Sequence, residues 1–139
     1  MKDEKLSLCF GGCSWGCVYY IGVYKYLKSV YSRKQLQNFR ISGTSSGIFI
    51  AVPILLGKEV DELVKMYKEF ADIARKYGVM GKMSIYHEYC FTKWLPDGGN
   101  EYKVLNDRLF ILVSRPFSKY EIISHWNSNT ELKQTIHAT

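Results

Sequence analysis

The feature that most constrains this chain is a unit that occurs twice near its start: a short apolar run, a glycine turn, and a stretch with helical spacing. In the first unit Leu6-Ser7-Leu8-Cys9-Phe10 alternates and then breaks at Gly11-Gly12, as a strand entering a turn does. Val18, Ile21, Leu27 and Val30 follow at helical spacing over 18–31. In the second unit 39–42 reads as a strand, 43–47 as a tight turn, and 48–56 as a run too apolar all round to face water. That run is expected to be a buried helix bent at Pro53. Strands alternating with helices build a sheet with crossover helices, so the fold class is α/β.

The rest of the chain continues the pattern. Residues 58–77 carry one apolar stripe, with Asp61 and Glu62 in the first turn, Arg75 and Lys76 in the last, and Gly78 as a stop. A second helix is expected over 84–95, strands over 109–114 and 120–124, and a final helix over 131–139 without a stop signal. A length of 139 residues fits one domain, 1–139, able to bury its own core. Hydrophobic residues at 47% and charged residues at 23% exclude a disordered chain.

The longest apolar run, 48–56, falls well short of the ~20 residues that cross a bilayer. Met1-Lys2-Asp3-Glu4-Lys5 mixes signs and leads into no apolar signal core, so a cytoplasmic protein is expected. In that setting four cysteines read as reduced thiols. The net charge of +6, with 11 Tyr and 3 Trp, suits peripheral contact with an anionic membrane or a lipid droplet. No nucleic-acid module is recognisable, and the oligomeric state is left open.

Two motifs carry chemistry. Gly43-Thr44-Ser45-Ser46-Gly47 fits G-x-S-x-G, the nucleophile elbow, in which a serine sits on a strained turn between strand and helix. The glycines remove Cβ atoms where the arms of the turn approach each other, so the Ser45 hydroxyl can stand exposed beside a helix N-terminus. The bare pattern arises by chance in roughly one chain in twenty of this length, so its setting between strand and apolar helix matters. The second motif is Gly11-Gly12-Cys13-Ser14, at a strand end just before a helix, where free backbone N–H groups can face a developing oxyanion.

The order of these motifs resembles the patatin-like phospholipases, which pair a G-x-G-x-x-G oxyanion loop after the first strand with a G-x-S-x-G elbow one βα unit later. Val18-Tyr19-Tyr20-Ile21-Gly22-Val23 and Ile41-Ser42-Gly43-Thr44-Ser45-Ser46-Gly47 are similar to the family's versions almost position for position. Trp94-Leu95-Pro96 with Arg108-Leu109-Phe110-Ile111 is similar to the animal-type branch that includes triglyceride lipases. In this register Gly12, Ser14 and Cys17 take the three glycine positions, and a left-handed φ at Ser14 would cost ~1 kcal/mol or more. The resemblance implies a three-layer α/β/α domain hydrolysing carboxyl esters of phospholipids or acylglycerols. It implies Ser45 as nucleophile, an oxyanion hole from Gly11, Gly12, Cys13 and Ser14, an aspartate as base in a Ser-Asp dyad, and no cofactor.

Asp97-Gly98-Gly99 spells the family's aspartate motif, yet it precedes the 109–114 strand and is a turn by composition with Pro96 and Asn100. The aspartate is therefore expected beyond Thr139, which makes the chain the front part of such a domain. Ser45, Asp97 and His125 fall in the order of an α/β-hydrolase triad, but too few strands precede Ser45, and His87, His125 and His137 read as isolated surface or core residues. Cys9, Cys13 and Cys17 match no usual ligand spacing, so no metal is expected. The Tyr- and Trp-rich 84–95 helix is expected to be core, with lipid contact as its alternative. The rival to an enzyme is a non-catalytic lipid-binding or regulatory protein on the same fold.

Overall fold

The computed structural model describes residues 6–115 and 119–139; the expectation about the signs of 1–5 lies outside them. Four strands, β1 (Ser7–Phe10), β2 (Arg40–Gly43), β3 (Leu109–Val113) and β4 (Glu121–Ile123), pair in the order β1-β2-β3-β4. The first three are parallel and β4 returns antiparallel to β3. Phe10 is in register with Gly43, so the loop after β1 and the turn after β2 leave the sheet at the same level. That register brings the two glycine motifs together.

Seven helices are described: α1 (Val18–Val30), α2 (Arg33–Gln37), α3 (Ile48–Leu56), α4 (Val60–Tyr77), α5 (Met83–Trp94), α6 (Glu101–Leu105) and α7 (Asn129–His137). Parallel strands that follow one another in the same direction, joined by right-handed crossovers, place their connecting helices on one face of the sheet. Accordingly α3 packs on β1, β2 and β3, and α1 and α6 pack on α3. On β3 the side chains of Leu109, Ile111 and Val113 are buried under this layer, whereas Phe110 and Leu112 on the opposite face are half-buried. Of the three layers expected, the described residues thus form the sheet and the helix layer on one of its faces, an α/β fold.

The apolar run became the centre of the core. Every residue of α3 from Ile48 to Leu55 is buried, including Pro53, whose missing N–H leaves the Phe49 carbonyl without its helical donor. Side chains of this kind contribute roughly 1.5–3 kcal/mol each on burial. The α4 signals also hold: Asp61 and Glu62 open the helix, Arg75 and Lys76 close it, and Gly78 at φ 75° accepts the left-handed turn that ends it. Its inner face is Leu63, Met66, Tyr67 and Phe70.

Two expectations about faces changed. On α1 the buried positions are Ile21, Tyr24 and Leu27, while Val18 and Val30 face solvent. On α5 Tyr86, Cys90, Phe91 and Trp94 are core, and Ile85 and Tyr89 are exposed. The α2 and α6 helices were not expected; α2 is fixed by a capping box in which the Ser32 hydroxyl accepts from Gln35 N–H and the Gln35 side chain accepts from Ser32 N–H. No described helix is long and apolar enough to cross a membrane.

Candidate active site

The elbow forms as a backbone event. Thr44 is extended (φ −135°, ψ 142°), Ser45 turns into the left-handed region at φ 48°, and Ser45–Gly47 is a short 3-10 turn leading into α3. A left-handed serine costs ~1–2 kcal/mol relative to its ordinary conformations, and here the packing around it holds it there. The result is an exposed Ser45 flanked by buried Ser46 and Gly47. The closeness of the arms is measurable: a Cβ on Gly47 would stand 2.0 Å from the Phe10 carbonyl oxygen. Only glycine fits, because the first turn of α3 lies directly on the end of β1.

The glycine loop lies against the nucleophile. A Cβ on Gly12 would stand 3.0 Å from Ser45 Cβ and 3.7 Å from Ser45 Oγ. The loop is fastened by Cys13 N–H donating to Ser46 Oγ at 2.8 Å and by Tyr20 O–H donating to the Gly11 carbonyl at 3.1 Å. This corrects one expectation: the Cys13 N–H is committed to Ser46 and is not free for an oxyanion. The N–H groups of Gly12 and Ser14 have no acceptor among the described residues. Ser14 adopts a left-handed backbone conformation, with φ 52°. Two of the three non-glycine residues with positive φ among the described residues, Ser14 and Ser45, are therefore in these two motifs.

A cavity of about 230 Å³ opens beside Ser45. The short 3-10 turn Ser14–Cys17 before α1 supplies Ser14, Trp15 and Cys17; the elbow and α3 supply Ser45, Ser46 and Phe49; α4 supplies Tyr67 and Phe70; α5 supplies Tyr86 and His87. Burial shifts three of its ionisable groups toward their neutral forms. Burial raises Tyr67, whose phenol donates to Cys17 Sγ at 3.0 Å, and burial raises the Cys17 thiol. Burial, with His137 alongside, lowers His87 below its ordinary value. An uncharged, aromatic wall next to an exposed hydroxyl and unpaired N–H donors can take an apolar acyl group with its carbonyl at the serine.

The family model for patatin-like phospholipase matches residues 8–139. The chain belongs to that family. No curated protein and no solved structure matches it. Patatin-like phospholipases are lipid acyl hydrolases at the family level, which is the chemistry such a cavity suits.

In this patatin-like domain Asp97 and His125 lie apart from the cavity lining. The Asp97 carboxylate accepts from Lys133 Nζ at 2.9 Å and Thr130 Oγ1 at 2.9 Å, which hold it below the usual carboxylate range. The glycines after it serve the turn: Gly98 has φ 75°, and a Cβ on Gly99 would strike Glu101 and Asn129. Buried Asn129 clamps that turn, donating to the Pro96 carbonyl at 2.8 Å and accepting from Tyr102 N–H at 2.9 Å. His125 is exposed near Asp107, at 3.9 Å. The thiols of Cys9, Cys13, Cys17 and Cys90 are free, and no group of three metal-ligating side chains occurs among the described residues.

Sequence reasoning missed the cavity wall. Phe49, Tyr67, Phe70 and Tyr86 read only as core positions, and His87 as an isolated histidine. No local signal marks them, because they meet only when α3, α4 and α5 pack.

Proposed function

We propose that this chain acts on carboxyl esters of lipids, with Ser45 as the nucleophile. The single observation that carries this is the exposed, left-handed Ser45 set between β2 and α3, with Gly12 against its side chain. In the acyl-transfer step Ser45 Oγ bonds to the acyl carbon and the ester C–O bond breaks. The serine proton passes to the departing alkoxide, which leaves as the alcohol. The N–H groups of Gly12 and Ser14 stabilise the oxyanion, and water then releases the fatty acid. No cofactor enters this scheme.

The family resemblance implies an aspartate as the base. Asp97 is not that group in this reading; it is a turn residue paired with Lys133. With no carboxylate lining the cavity among the described residues, acylation and deacylation are both slow, since a general base contributes 10² to 10⁴ in rate. The lipid partner is met at an anionic surface, supported by the net charge of +6 and by exposed Tyr19, Tyr26, Tyr77 and Met80.

The test is release of p-nitrophenolate from a p-nitrophenyl ester. Slow release that is absent in Ser45→Ala is the expected result. Equal release by Ser45→Ala would remove Ser45 as the nucleophile, and no release by the folded parent would leave the non-catalytic lipid-binding rival in its place.

A further inference from the structure

The solvent side of α1 is unlike that of an ordinary surface helix. Ile21, Tyr24 and Leu27 face inward, so the helical repeat turns Val18, Tyr19, Gly22, Tyr26, Ser29 and Val30 outward, and all six are exposed. Tyr19 is 75% exposed and Tyr26 67%. No charged residue stands among them, although charged and polar residues are the rule on such a side. The exposed Asp61, Lys65, Lys68 and Asp72 of α4 show the usual pattern. On α1, Val18, Tyr19, Gly22, Val23 and Tyr26 line a surface groove instead.

The charge around this side has one sign. From residue 5 to residue 58 the sequence has no Asp or Glu, while Lys25, Lys28, Arg33, Lys34, Arg40 and Lys58 fall within that stretch. The excess of positive charge is thus gathered in the part of the chain that holds the glycine loop, α1 and the elbow. Lys25 is exposed on the flank of the outward side, and Lys28 is paired with Glu59. Trp15 lies in the turn that runs into α1, four residues before Tyr19; it lines the cavity beside Ser45 and is itself partly exposed.

We infer that the outward side of α1 is the surface through which this protein lies on an anionic lipid bilayer, with Tyr19, Tyr26 and the valines at headgroup level. The inference rests on the reading that the chain meets its lipid at an anionic surface, and it names the face. Chemistry selects this partner. A nucleic acid needs cations on the contact face to pair with its phosphates, and this face has none. A bilayer takes both parts of the surface, since tyrosine settles between an apolar and a wet phase and basic residues at the margin meet anionic headgroups. Trp15 then joins the docked surface to the wall of the Ser45 cavity.

The experiment sediments the protein at low salt with vesicles of phosphatidylcholine and phosphatidylserine in equal parts. The double variant Tyr19→Ser, Tyr26→Ser should partition about tenfold more weakly than the parent, because two partly buried large side chains are lost. Tyr120→Ser removes a ring that is 68% exposed just before β4, at the other edge of the sheet from β1, and should bind as the parent does. A second measurement covers a double variant that fails to fold. With brominated acyl chains in the same vesicles, the added indole of Tyr26→Trp should be quenched and that of Tyr120→Trp should not. Binding by the folded double variant equal to the parent's overturns the inference, as do equal losses in Tyr120→Ser or equal quenching of the two Trp variants. A parent dimer that the double variant dissociates, with vesicle binding unchanged, would give the face to a second copy and overturn it too. Failure of the parent to bind these vesicles at low salt would instead overturn the anionic-surface reading, and the inference with it.

Discussion

Replacing Gly47 by alanine perturbs the elbow at its tightest point. Gly47 has an ordinary backbone conformation (φ −64°, ψ −23°), so the effect is one of space alone. The new Cβ would lie 2.0 Å from the Phe10 carbonyl oxygen, 2.7 Å from its carbon and 3.0 Å from the Gly11 oxygen. Close carbon–oxygen contacts in folded proteins settle at ~3.3 Å, so the end of β1 and α3 must separate by about 1 Å. These are backbone atoms and cannot rotate away. Overpacking of this kind costs ~1–3 kcal/mol, and a 1 Å misplacement in an active site can cost 10²-fold in rate. Two other glycines calibrate the result. A Cβ on Gly43 would meet Gly47 and Ile48 at 3.3 Å, which a few tenths of an ångström relieve, and a Cβ on Gly11 meets nothing within 4 Å. Urea unfolding midpoints and fluorophosphonate labelling rates should therefore rank Gly11→Ala nearest the parent, Gly43→Ala next and Gly47→Ala last by a wide margin. A Gly47→Ala protein as stable and as reactive as Gly11→Ala would refute the geometry on which the elbow rests.

Asp97→Asn should leave Ser45 labelling unchanged within error, and a hundredfold loss in the folded variant would make Asp97 part of the dyad. The same substitution tests the ion pair by pH. Lys133 and Thr130 depress the Asp97 pKa, so the stability it contributes is present above the unfolded carboxylate value of ~3.9 and lost as pH falls through the lower folded value. The unfolding midpoint of Asp97→Asn should accordingly lie below that of the parent at neutral pH, with the gap closing in acid; a gap that persists at the acid end would contradict the pairing. Anionic vesicles should bind the protein in low salt and release it at physiological strength, where the screening length falls to ~8 Å. Salt-independent sedimentation, or none in low salt, would remove the electrostatic account of surface contact.

What the sequence revealed and what it hid follow from the range of each signal. The α4 ends were legible because caps and terminal charges act within one turn. The elbow was legible because its pattern of letters is local, although the contact that requires Gly47 is with Phe10, far back in the chain. The α2 helix carried a local signal too, Ser32 three residues before Gln35, but five residues gave no periodicity to draw attention to it. Val18 and Val30 had helical spacing yet face solvent, because spacing identifies a helix more readily than the side that is covered. The commitment of Cys13 N–H to Ser46 joins positions 33 residues apart, and the cavity wall joins the turn before α1 with α3, α4 and α5. Such meetings depend on packing angles that no local pattern encodes. The Asp97 motif shows the converse: its letters match a catalytic signature, while Asn129 and Lys133, more than thirty residues on, make it a clamped turn.

The central claim is that the fold activates Ser45 above every other serine in the chain. It is tested most directly by treating the parent and Ser45→Ala with one fluorophosphonate and mapping the modified peptide by mass. A single adduct on the peptide carrying Ser45, absent from a folded Ser45→Ala protein, is the predicted result. An adduct on another residue, or equal labelling of the two proteins, would contradict it.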